Sequence, residues 1–213
     1  MDVLHSEVYR GYLIEIMPDD DPESPRKYDN VGTMVCWHSR YNLGDEQPKF
    51  DSREWLRSLA ERAVNVNSID DVPDEHIQRI LDKHYVILPL YLYDHGGITM
   101  RCSSFSCPWD SGQVGYIYCS VVKAQEEFPG TREESSAKAR NCIEQEVKVY
   151  DSYLTNSYVG YRITRKGKET GSCWGFESQD YGLEEARREV SSHIKYRREK
   201  ERKRVENGGH VCI

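Results

Sequence analysis

The chain has 213 residues, of which 38% are hydrophobic, 31% charged and 11% aromatic, enough apolar material for a packed core and too much for a disordered chain. A net charge of −7 argues against general nucleic-acid binding, where phosphate neutralisation dominates affinity, and suits basic partners instead. The most apolar run, residues 85–93, is strand-sized and too short to span a membrane.

The first ten residues carry acids and a His where an export signal needs a basic start and an apolar centre, so the expected location is the cytoplasm. Residues 8–16 (VYRGYLIEI) alternate as a half-buried strand does, and the acidic PDDDPESP after them reads as a solvated loop. A second strand is expected at 31–38 (VGTMVCWH), the two forming a hairpin with a long tip. Asp51 as N-cap, Glu54 three residues on, and Trp55, Leu56, Leu59, Ala63 and Val64 at helical spacing predict the first helix. Residues 73–84 repeat that logic, with Pro73 at the first turn, Asp74 and Glu75 beside the N-terminus, and Ile77, Ile80 and Leu81 on one face.

Residues 85–93 (YVILPLYLY) are rich in β-formers, and Pro89, which cannot donate to a ladder, places them at a sheet edge or a bulge. Asp94-His95-Gly96-Gly97 is a turn, and residues 98–102 are the return strand. The loop SSFSCPWDSGQVG leads into a strand at 114–122, then a long helix at 133–154 with Ala139, Ile143, Val147, Tyr150 and Leu154 on one face. A hairpin at 158–176 and a helix from Leu183, with Ala186, Val190 and Ile194 inward, complete the fold.

This order predicts an α+β fold: a single domain over 1–194 with a largely antiparallel sheet, β-hairpins and about four to five packing helices, then a basic helix end or flexible tail at 195–213. The tail's Lys and Arg residues are diluted by Glu199, Glu201 and Glu206, which favours an exposed tail over a nucleic-acid contact. An echo, Gly11-Tyr12-Leu13-Ile14 with Cys36-Trp37 and Gly160-Tyr161-Arg162-Ile163 with Cys173-Trp174, would fit one hairpin-helix unit used twice.

Seven cysteines with no CxxC pair read as reduced thiols, several of them small core residues. A catalytic reading would make Cys107 the nucleophile, His95 its base and Asp94 the orienter. Against it, Pro108 denies Cys107 a helix N-terminus, and the alternative has Cys107 and Trp109 tucked into the core while Asp110, Ser111 and Gly112 supply turn hydrogen bonds and a positive φ. Cys36 and His38 with Cys102 or Cys107 lack the paired spacing of a zinc site, and Asp110-Ser111-Gly112 lacks the carboxylates calcium needs. Neither the 94–97 turn nor Ser111-Gly112-Gln113 is a phosphate loop of an NTPase, although either could line a small-nucleotide pocket. No metal and no cofactor is expected.

At YDHGGIT (93–99), SCPWDSGQVGYIY (106–118) and SCWGF (172–176), the chain resembles a family of uncharacterised proteins carried by bacteriophages and other mobile elements. The similarity runs from about Asp29 to the Leu183 helix, and it implies a phage context without carrying a catalytic role onto any position. By analogy with small acidic phage proteins, the expected function is capture and inhibition of a host protein or nucleoprotein complex of bacterial defence, of anti-CRISPR or anti-restriction type. The expected contact residues are Asp19, Asp20 and Asp21, with Tyr93, His95, Trp109, Asp110 and Gln113.

Overall fold

Arg10 and Gly11 both take left-handed backbone, φ 51° and 79°, and this two-residue turn divides the first strand stretch into β1 (His5–Tyr9) and β2 (Tyr12–Pro18). The structure, a computed structural model, describes residues 2–66 and 68–208. Among them are eight strands, all paired antiparallel in two four-stranded sheets, and five α-helices, an α+β fold. The chain forms two compact units, one made of Met1–Glu23 with Asn156–Ile213 and the other of Ser24–Thr155.

In the first unit β2 pairs with β7 (Val159–Arg165), which turns at Lys166 and Gly167, φ 51° and 75°, into β8 (Lys168–Phe176), so the order is β1-β2-β7-β8. The expected hairpin between residues 8–16 and 31–38 is therefore absent, because the tight turn at Arg10 hands β2 a different neighbour. The echo is likewise no repeated unit: Ile14 and Ile163 face each other on paired strands, whereas Cys36 ends a strand of the second sheet. Helix α5 (Gln179–Gly208) presses Ala186 and Val190 against Tyr12, Ile14, Ile16, Tyr161 and Ile163, the alternate side chains of β2 and β7. On the opposite face of the sheet Trp174 lies flat on Gly160, where an added Cβ would stand 2.1 Å from the ring.

The second unit contains β3 (Thr33–Cys36), α1 (Ser52–Val64), α2 (Asp74–His84), β4 (Tyr85–Asp94), β5 (Ile98–Arg101), β6 (Ser111–Ser120), α3 (Val121–Glu127) and α4 (Arg132–Leu154), with strand order β3-β6-β4-β5. Period-two alternation gives this sheet two apolar faces. Met34, Leu88, Leu90 and Ile117 meet Ala124, Ala139, Ile143 and Val147 of α3 and α4. Val35, Ile87, Tyr116 and Tyr118 meet Trp55, Leu59, Ile77 and Leu81 of α1 and α2. The unit is thus a helix-sheet-helix sandwich.

Helix starts follow local chemistry. Asp51 caps α1 through the Glu54 N–H at 2.9 Å, and Thr131 with Glu134 forms a full capping box on α4. Helix α3 occupies residues that the β-branched Val121 and Val122 assign to a strand; Ser120 starts it by accepting from the Lys123 N–H at 3.1 Å. Arg26, its side chain only 6% exposed, joins Asp45 at 2.5 Å and Glu146 at 3.1 Å and donates to the Gly32 carbonyl at 2.7 Å, fastening the entry of β3 to α4. No described helix is long and apolar enough to cross a membrane.

Candidate functional site

Strands β5 and β6 flank β4 on opposite sides, so the chain between Arg101 and Ser111 crosses the end of β4. Tyr93 is paired with Thr99 on one side and Ser111 on the other, and the Asp94 N–H donates to the Asp110 carbonyl at 2.8 Å. The 94–97 turn and the 102–110 loop, which local sequence leaves independent, therefore meet at one end of the second sheet.

The loop is held by its own side chains. Arg101 donates to the Ser103 carbonyl at 3.0 Å and the Ser104 carbonyl at 2.5 Å, and its guanidinium lies 3.8 Å above the Phe105 ring. Phe105 in turn packs on Tyr93, ring centroids 5.6 Å apart. Ser111 donates to the Cys107 carbonyl at 2.5 Å, and the Cys107 thiol donates to the Asp110 carboxylate at 3.4 Å. With the loop fastened this way, Trp109 is left 92% exposed. This corrects the expectation of a core tryptophan: Arg101, Phe105 and the half-buried Cys107 do the anchoring. Gly112 supplies no positive φ either; it is strand backbone in β6, opposite Leu92.

The same geometry argues against a cysteine nucleophile. His95 Nδ1 lies 3.5 Å from Asp110 Oδ2, the oxygen that accepts from Cys107, so among the described contacts the thiol's hydrogen bond goes to the carboxylate and not to the imidazole that a nucleophile would need as its base. Asp94 is not an orienter, for its carboxylate is ion-paired to Arg40 and accepts from the Tyr41 hydroxyl at 3.4 Å. Burial pushes the Cys36 thiol up to about 12 and the Cys102 and Cys119 thiols up to about 11, which keeps all three protonated core groups. His38, beside Cys36, accepts through Nδ1 from the backbone N–H groups of Arg40 and Tyr41 and stacks on the Tyr41 ring. Among the described residues no group of three His, Cys, Asp or Glu side chains is placed to hold a metal ion. Ser111 and Gly112 spend their backbone in the β4–β6 ladder and form no phosphate cradle.

Beyond the loop, Pro89, Tyr91, Gln113 and Tyr116 floor an open groove of about 590 Å³ walled by Gln78 of α2 and Arg140 of α4. Strand β5 covers β4 only from Tyr91 onward, so the edge at Pro89 is open and a bulge follows it at Leu90/Tyr91, as the proline requires. Of the expected contact residues, Tyr93, His95, Trp109, Asp110 and Gln113 thus gather on the second unit. Asp19, Asp20 and Asp21 belong to the first unit. There the Asp19 N–H donates to the Tyr158 carbonyl and its carboxylate accepts from the Asp21 N–H, with Asp20 and Asp21 exposed. Glu15, earlier on β2, is paired with Arg162 at 3.0 Å. Sequence reasoning missed Arg40, Arg101 and Phe105. Arg101 and Phe105 stand four residues apart, at the start of the loop and within it, a local signal, while Arg40 reaches Asp94 across 54 residues with none.

No protein-family model, curated protein or solved structure matches the chain.

Proposed function

We propose that the chain is a non-catalytic accessory protein, encoded by a phage or related mobile element, that binds and inhibits a host factor of a bacterial defence system in the host cytoplasm. The observation that carries this reading is Trp109, 92% exposed at the tip of a loop fixed by Arg101, Phe105, Cys107 and Ser111. A tryptophan held in water by a rigid loop is unfavourable in the free protein and favourable once a partner covers it, and little ordering entropy opposes its burial. Tryptophan is for this reason enriched among residues that dominate interface energies. His95 and Asp110, in contact at 3.5 Å beside the loop tip, offer hydrogen-bonding groups, and on the first unit the exposed Asp20 and Asp21 offer negative charge to a basic target.

The test is affinity capture from a bacterial host lysate followed by mass spectrometry, run in parallel with variants that melt at the wild-type temperature. Trp109→Ala, and Lys in place of Asp19, Asp20 and Asp21 together, lose the captured host protein, whereas Cys107→Ser and His95→Ala retain it. Loss of the inhibitory phenotype in a folded Cys107→Ser variant would reject the binding reading in favour of chemistry at the thiol.

A further inference from the structure

The two tight turns of the first unit stand at the same end of its sheet. Strands β2 and β7 are antiparallel with Leu13 opposite Thr164, so the turn that begins β2 and the turn that ends β7 are neighbours. The first carries Arg10 and the second Arg165, Lys166 and Lys168. Helix α5 passes the same end, where Arg197 and Arg198 line the two adjoining grooves that also contain Arg10, Tyr12 and Arg165. Six guanidinium and ammonium groups therefore converge, and the one carboxylate lining these grooves is Glu201. Among the described residues, Lys166, Lys168 and Arg197 have no carboxylate partner. Arg165 sits 4.8 Å above the Tyr12 ring, and Tyr196 is 64% exposed beside it, so aromatic faces lie among the cations.

Helix α5 also outruns the sheet. Ile194 is its last packed residue, and residues 195–205 are all exposed, with seven Lys or Arg against Glu199 and Glu201. At 1.5 Å per residue the segment from 195 to 208 extends roughly 21 Å. A solvated rod of like charges repels itself and gains most from a partner that carries regularly spaced negative charge. From these juxtaposed cations we propose that this end of the first unit binds the phosphate backbone of a nucleic acid without reading its sequence. The net charge of −7 averages over the whole chain, and this end has the opposite sign. A membrane surface fits poorly, since Tyr196 and Val205 are the only large apolar residues among residues 195–205 and give no continuous greasy face.

Fluorescence anisotropy with a labelled 24-base-pair duplex of arbitrary sequence, and with one of its strands alone, tests the proposal and shows which form is preferred. With about five phosphates neutralised, affinity for the duplex falls roughly 500-fold between 50 and 200 mM salt. Lys166→Glu combined with Arg197→Glu, both exposed and so compatible with folding by circular dichroism, weakens binding more than tenfold at 50 mM salt, while Trp109→Ala leaves it unchanged. Absence of binding to both probes at 50 mM salt, an affinity insensitive to salt, an unaltered affinity in the folded double variant, or tighter binding to phosphatidylserine vesicles or polyglutamate than to either probe would each overturn it.

Discussion

Cys107 and Asp110 are joined by a hydrogen bond from Sγ to Oδ2 of 3.4 Å, and that oxygen also faces His95 Nδ1 at 3.5 Å. A serine hydroxyl can make the same bond with a shorter reach. Cys107→Ser therefore keeps the loop and its partner: the expected change in stability is within about 1 kcal/mol, and the captured host protein is unaltered. Thermal melting and capture on the same preparation check both halves of the statement.

On the proposed function Trp109 contributes to partner contact and not to the fold. With 92% of its surface in water, Trp109→Ala changes unfolding free energy by no more than about 0.5 kcal/mol. Its removal weakens partner binding by about 2 kcal/mol or more, some 30-fold in Kd, as expected of a central interface tryptophan. Calorimetry with the purified partner measures the second number, and urea unfolding the first.

Arg26 is the reverse case. Its guanidinium, 6% exposed, is shared by Asp45 and Glu146, and Glu146 also accepts from the N–H groups of Val31 and Gly32. Arg26→Ala would leave the partly buried Asp45 and Glu146 carboxylates without this shared counter-ion, at a cost of about 3–5 kcal/mol in unfolding free energy. A loss below about 1 kcal/mol in urea titrations would show that the ion cluster is incidental.

The buried thiols set an alkaline limit on stability. In the folded chain burial raises Cys36 from 9.0 to about 12 and Cys119 from 9.0 to about 11, so the unfolded chain loses these protons first as pH rises. Stability from both groups is complete below pH 9 and falls above it, at most about 1.4 kcal/mol per pH unit for each thiol, until the folded values are passed. Urea midpoints recorded from pH 8 to pH 10.5 should be flat at first and then decline, and replacing Cys36 with Ala should flatten part of the decline.

Much of this architecture is written locally. Asp51 and Glu54 announce α1, Pro89 announces an open edge with a bulge beside it, and the spacing of Ala139, Ile143 and Val147 announces the buried stripe of α4. What escapes local reading is long-range or unconventional backbone. Arg10 and Lys166 turn with positive φ although neither residue type advertises it, and the β2–β7 pairing joins residues nearly 150 apart. Trp109 carries the apolar character of a core residue, and only the fastening of the loop by Arg101 and Phe105, visible in three dimensions, turns it outward. The site is legible as a set of residues, Tyr93, His95, Trp109, Asp110 and Gln113, but not as a surface until β4 brings the two turns together.

Whether Trp109 is the point of partner contact can be read directly by placing a photo-crosslinking benzoylphenylalanine at position 109 and irradiating the protein in host lysate. The account predicts one discrete covalent adduct, suppressed by excess unlabelled wild-type protein and absent when the probe replaces Val122, another exposed apolar residue of the same unit. An adduct formed equally at Val122, or none at position 109 while the host factor is still captured, would contradict it.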